Sequence, residues 1–172
     1  MKSKLILTLL VFVAICVGQR VHAQTDNTDP VNVSIDLTAP VISINLGGTP
    51  DVLFTYDDAA DYTVAQTVSK PGHLVVVSNE PYSITVAASA AFAPAGGPGL
   101  DVVTINAEPA TANGATLTEA TLATGDALLV TDAPPSNNAV YNVDYTIEDA
   151  TTLLDVTRAV YTTTVVYTAT QL

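Results

Sequence analysis

From Val31 onward, apolar and polar residues change places one for one, in one short run after another. Val31, Val33, Ile35 and Leu37 alternate with Asn32, Ser34 and Asp36. Ile42, Ile44 and Leu46 take up the pattern after the break at Pro40 and stop at Gly47-Gly48-Thr49-Pro50. A strand turns successive side chains to opposite faces, so this period specifies half-buried β-strands and no amphipathic helix. The same grammar continues through residues 52–56, then the acidic turn Asp57-Asp58-Ala59-Ala60-Asp61, then Tyr62, Val64, Gln66 and Val68. Lys70-Pro71-Gly72-His73 has Pro and Gly where a type II turn takes them, which predicts a chain reversal with His73 at its solvent-facing exit.

Residues 74–78 form a continuous apolar run expected at the centre of a sheet, and Tyr82, Ile84 and Val86 follow the turn Asn79-Glu80-Pro81. Residues 92–99, with two prolines and three glycines, read as a loop. Val103 and Ile105 make a further strand. Residues 107–126, rich in Ala and Thr, carry Asn113-Gly114 as a hairpin signal and a stretch near residues 119–124 that could instead be one helical turn. Leu128 and Val130, then Tyr141, Val143, Tyr145 and Ile147, then Tyr161, Thr163, Val165 and Tyr167 complete the series, with a last strand over residues 158–169. About nine or ten short strands separated by turn residues predict an all-β chain, an immunoglobulin-like antiparallel β-sandwich.

The N-terminus constrains where such a domain works. Lys2 and Lys4 precede an apolar run over residues 5–17, followed by Val21-His22-Ala23. A basic end, an apolar run and a small-residue cleavage site are the parts of a secretory signal peptide. At about 13 residues the run falls short of the roughly 20 that a transmembrane helix needs. Cys16 follows Ile15, whereas a lipobox takes Gly or Ala there, so cleavage near Ala23-Gln24 is expected rather than lipidation. The expected organisation is a signal peptide over residues 1–23, a polar flexible tail over residues 24–30 and one sandwich domain over residues 31–172. Secretion without disulfides suits a bacterial cell surface.

Removing residues 1–23 leaves Lys70 and Arg158 as the only cations against all 17 carboxylates. Two cations cannot neutralise a phosphate track, which excludes nucleic acid as a partner, and the same balance argues against an anionic membrane surface. The remaining chain has neither Cys nor Trp and a single histidine. Thiol nucleophiles and cysteine-based metal sites are therefore ruled out. His73 lacks a Gly-x-Ser-x-Gly elbow, and no acidic pair stands apart as glycosidase machinery, so no catalytic residue is assigned.

Three features carry binding potential. Asp57, Asp58 and Asp61 gather oxygens that a Ca²⁺ ion could use, without EF-hand spacing. Tyr141 with Tyr145, and Tyr161 with Tyr167, share strand faces and could stack on a glycan, although Trp, the preferred platform, is absent. The strand Val31, Val33, Ile35, Leu37 either completes its own sheet or leaves to pair with the edge of a neighbouring subunit.

Three stretches carry a family likeness. They are Ala39-Pro40-Val41-Ile42-Ser43-Ile44 leading to Leu53-Phe54-Thr55-Tyr56, residues 74–86, and the terminal residues 161–169. Together they resemble the secreted bacterial surface sandwiches of the spore-coat-protein-U type and the related WxL-like domains. The resemblance implies a non-enzymatic coat, fimbrial or wall-associated component. The chain departs from these families in having no cysteine pair and no WxL tryptophan motif. The expectation is thus a structural or adhesive surface protein that self-associates through residues 31–37 or contacts other surface proteins, with no cofactor and no membrane insertion. The alternative is a secreted monomeric module for glycan or Ca²⁺.

Overall fold

The two longest alternating runs pair with each other and form the spine of the molecule. The computed structural model describes residues 32–172. The described residues hold nine strands: β1 (Ile42–Leu46), β2 (Gln66–Ser78), β3 (Tyr82–Ala88), β4 (Thr104–Pro109), β5 (Thr116–Leu117), β6 (Ala120–Thr121), β7 (Ala127–Ala133), β8 (Ser136–Ile147) and β9 (Val165–Gln171). All pairings are antiparallel, in a five-stranded sheet ordered β1-β2-β8-β4-β6 and a four-stranded sheet ordered β5-β7-β3-β9. The only helices among the described residues are short 3-10 turns. No helix there is long and apolar enough to cross a membrane. This is the expected all-β sandwich.

The period-2 pattern decides which side chains meet between the sheets. On β8 Tyr141, Val143, Tyr145 and Ile147 are all buried, while Asp144 between them is exposed. Tyr82, Ile84 and Val86 of β3 face them from the other sheet and are also buried. Leu74 and Val76 of β2, Ile105 of β4 and Leu129 and Val130 of β7 fill the rest. Each such aliphatic side chain contributes about 1.5–3 kcal/mol through burial.

Several sequence expectations change. Residues 52–56 form no strand, although Val52, Phe54 and Tyr56 alternate into the core's margin as half-buried residues. The period survives there without a strand ladder; the Thr55 carbonyl accepts from the Gln66 side chain at 3.2 Å. The reversal expected at Lys70-Pro71-Gly72-His73 is instead a bulge inside β2. The register passes from Lys70↔Val143 to Leu74↔Tyr141, so three residues of β2 oppose Asn142 alone. Gly72 does take the positive φ of +60° that the turn reading required of it, but the chain continues along β8. Residues 119–124 give no helical turn, only the two-residue β6 and the buried Leu122. The last strand begins at Val165 rather than near residue 158, with only a single bridge, Ala93 to Thr162, before it.

The signal peptide, the 24–30 tail and Val31 lie outside the described residues. Contacts divide the chain between Leu37 and Thr38, and the sandwich belongs to the second part. Residues 32–37 were expected as a half-buried strand, yet they form none. Val33, Ile35 and Leu37 are 85%, 80% and 82% exposed.

Candidate functional sites: a histidine bridge and an open flank

The bulge in β2 turns His73 inward. Extra residues on one strand re-aim the side chains beside them, and here the expected solvent-facing histidine is 2% exposed. Gly47 closes over the bulge, its N–H donating to the His73 carbonyl at 2.8 Å. A Cβ on Gly47 would collide with the Gly72 carbonyl, so the approach of these backbones requires glycine there. Inside, His73 Nε2 and the Tyr145 hydroxyl share a hydrogen bond of 3.0 Å. The Tyr145 hydroxyl bonds in turn to that of Tyr167 at 2.5 Å. The imidazole stands edge-on to both rings, with centroids 5.8 and 6.0 Å away. His73 comes from β2, Tyr145 from β8 and Tyr167 from β9, so this bridge ties the two sheets together. His73 Nδ1 is buried with no hydrogen-bond partner.

Burial sets the acid–base character of the group. Desolvation, and secondarily the Lys70 charge, lower the His73 pKa from its ordinary value. Burial raises the Tyr145 hydroxyl, against the opposing effect of its bond to Tyr167. Burial, then Tyr145, raises Tyr167 far above the usual phenol range. The side-chain partner of His73 is thus a neutral phenol, with no serine or carboxylate placed for nucleophilic catalysis.

A second polar cluster lies further along β8. Tyr82 and Tyr141 share a hydroxyl–hydroxyl bond of 2.9 Å, and Asn113 Nδ2 donates to the Tyr141 oxygen at 3.0 Å. Asn113 also accepts from Ala115 N–H at 3.1 Å, shaping the turn in which Gly114 has φ +79°. The hairpin signalled by Asn113-Gly114 does not form, because the flanking β4 and β5 belong to different sheets; the asparagine instead caps a buried tyrosine.

At one flank of the sandwich the edge strands β1 and β9 lie beside each other. Among the described strands β1 pairs only with β2, and β9 only with β3, so each has one edge without a strand partner. Asn79 and Gln171 bind the corner of this flank. Asn79 accepts from Val41 N–H at 2.7 Å and donates to the Ala39 carbonyl at 2.9 Å, copying a ladder with its side chain. Gln171 Nε2 lies 3.0 Å from the Val41 carbonyl and 3.0 Å from Asn79 Oδ1. Neither residue stood out in the sequence as a linchpin. Gln171 carried a legible signal, since it falls in phase with the inward Tyr167 and Ala169.

The acidic turn is organised around its own backbone. Residues Ala59–Thr63 form a 3-10 turn with a capping box. Asp58 Oδ1 accepts from Ala60 N–H at 3.1 Å, while Asp61 Oδ2 accepts from the N–H groups of Asp57 and Asp58 at 3.1 and 2.9 Å. Two of the three carboxylates thus serve as caps. Among the described residues no three His, Cys, Asp or Glu side chains form a metal-holding group.

The tyrosine pairs are not brought together as a stacking platform. Tyr141 and Tyr145 are buried, Tyr167 belongs to the histidine bridge, and Tyr161 lies against Gly97. No aromatic among the described residues is in the exposed class. A surface hollow of about 410 Å³ between residues 110–113 and 134–140 has neither an aromatic nor a charged side chain in its lining.

Compared with known families and with curated proteins, the chain matches none.

Proposed function

We propose that this protein is an exported, non-enzymatic structural or adhesive component of a bacterial cell surface, which self-associates by donating residues 31–37 to a neighbouring copy. The observation that carries the reading is the state of that segment. It has the alternation of a strand, yet Val33, Ile35 and Leu37 are at least 80% exposed and residues 32–37 join no sheet. Exposed alternating apolar side chains gain free energy when they are buried, and a sheet edge that accepts the segment buries alternate side chains while satisfying its backbone. The sandwich offers such edges along its flank, and that of β9 is seven residues long, the length of segment 31–37. Pairing of one copy's N-terminal segment with the next copy's edge is a head-to-tail contact, which propagates unless its rotation closes.

The resemblance to spore-coat-protein-U-type and WxL-like domains supports the same class, and the excess of carboxylates suits an exported surface chain. The monomeric glycan reading would need presented aromatic faces, and the Ca²⁺ reading would need carboxylates not spent on backbone caps. Light scattering coupled to size exclusion, on the secreted chain and on a version beginning at Pro40, tests the proposal. Large or filamentous species that shorten to folded monomers on truncation support it. A monodisperse secreted chain of unchanged size after truncation overturns it.

A further inference from the structure

We infer that His73 is an acid-sensitive latch, fastening β9 of one sheet to β2 and β8 of the other at the open flank. The inference rests on the sandwich alone and does not depend on residues 31–37.

The argument starts from proton bookkeeping along His73, Tyr145 and Tyr167. If the Tyr145 hydroxyl donates to Nε2, the ring proton sits on Nδ1, a buried N–H without an acceptor. If Nε2–H donates to the Tyr145 oxygen instead, Nδ1 keeps only an unused lone pair. An orphaned buried donor is the rarer and costlier arrangement. The second arrangement is therefore the resting state, with the one open protonation site on Nδ1.

A proton arriving there creates two faults together. It places a charge in a desolvated position and makes Nδ1 a donor with nothing to accept from it. The surrounding groups cannot compensate. The titratable and charged groups facing the ring are Lys70 on its own strand, Tyr145 on β8 and Tyr167 on β9. Lys70 repels the imidazolium, and both phenols are held in their neutral form by burial. Residues 47–49, which with residues 69–71 and His73 line a hollow of about 220 Å³ over the bulge, bring no titratable side chain. The ring satisfies its charge only by leaving the bridge, which releases Tyr145 from β2 and loosens Tyr167 with the β9 edge. Tyr82, Tyr141 and Asn113 contain no group that changes charge between neutral and mildly acidic pH, so the latch acts at one end of the sandwich.

The sign follows from the depressed pKa. The folded state binds fewer protons at His73 than the unfolded chain, whose histidine titrates near 6.5. The stabilisation is complete above that value and is lost as pH falls toward the folded-state pKa, with the folded-to-unfolded ratio dropping about tenfold per pH unit.

The test uses the secreted chain and reads three things between about pH 7.5 and about pH 5, on either side of the ordinary histidine value of ~6.5. Imidazole ¹⁵N resonances, assigned by their loss in His73→Phe, should show the Nε2–H tautomer and a titration below the ordinary value. Hydrogen exchange, corrected for its intrinsic pH dependence, should show the amides of Val165–Gln171 losing protection before those of β3 and β7. The fall in thermal midpoint over this range should be shallower in His73→Phe. A ring that titrates at the ordinary value overturns the latch, as does loss of protection spread evenly over both sheets. If His73→Phe does not fold, the resonance and exchange measurements on the wild-type chain decide the matter alone.

Discussion

Two tyrosines four residues apart on β8, Tyr141 and Tyr145, face the same interior about 13 Å from each other, yet they end in different chemistry. Tyr141 belongs to a closed set. Its hydroxyl meets that of Tyr82 and accepts from Asn113, so every side-chain nitrogen and oxygen of the three has a partner, although the two hydroxyls share one acceptor contact between their two protons. Tyr145 belongs to an open set that ends in the unpartnered Nδ1 of His73. The alternation placed both tyrosines inside, but what completes each cluster came from elsewhere: a turn asparagine in one case, a strand bulge in the other. Buried polar groups specify a unique core when all are satisfied and become sensitive points when one is not.

Breaking the closed set should have the largest effect. Tyr141→Ala removes a fully buried ring and the partner of both Tyr82 and Asn113, and should cost about 3–5 kcal/mol in urea unfolding. Tyr141→Phe keeps the ring and strands the Tyr82 hydroxyl and the Asn113 amide, for about 1–3 kcal/mol. Tyr145→Phe should cost less than Tyr141→Phe at neutral pH, about 1–2 kcal/mol, because the residue it leaves without a hydroxyl partner on β9, Tyr167, is only half-buried, whereas Tyr82 is fully buried. If Tyr145→Phe proves the more damaging of the two, the division into closed and open clusters fails.

The phenols sharpen the comparison from the alkaline side. Burial raises Tyr82 far above its ordinary value, helped by its bond to Tyr141, and burial with the neighbouring Tyr145 does the same for Tyr167. The folded state therefore keeps protons that the unfolded chain releases near pH ~10. Stability from these groups is complete below that pH and declines as pH rises above it. Ultraviolet absorbance should show Tyr82 and Tyr167 ionising only together with unfolding, and Tyr82→Phe should flatten the alkaline limb of the stability curve. Free ionisation of all seven tyrosines in a folded chain would contradict the buried clusters.

How much of this was legible in the sequence depends on the range of the forces involved. Strand existence and facing are local properties of side-chain order, so β1, β3, β7 and β8 follow from their alternation, with Tyr141 and Tyr145 on one inner face. Pairing is not local. Residues 52–56 have a strand's pattern without a ladder: β1 covers only residues 74–78 of the β2 edge, and the uncovered half meets the Thr55 carbonyl through the Gln66 side chain rather than through its backbone. Pro71-Gly72 fixes a backbone conformation but not whether the strand on the far side resumes on the same neighbour, so the bulge was read as a turn and His73 was placed in solvent. The acidic turn was legible as a turn, whereas the direction of its carboxylates depended on which N–H groups the 3-10 geometry left free.

That acidic turn supplies the smallest predicted effect and a third instance of a closed polar set. Asp58→Ala removes one half of the capping box and should cost about 1 kcal/mol, less than Tyr145→Phe, because the turn is exposed and buries none of its residues. A bound ion stabilises a fold only through sites that the native state presents and the unfolded chain does not. Here Asp58 and Asp61 each give one oxygen to backbone N–H groups, and among the described residues the three carboxylates do not converge as a metal-holding group. Millimolar Ca²⁺ should therefore leave the thermal midpoint where it was. A clear rise that disappears in Asp61→Asn would mean that the box yields to the ion. The acidic turn would then be an open set, as the histidine bridge is, with Asp57 joining Asp58 and Asp61 as ligands.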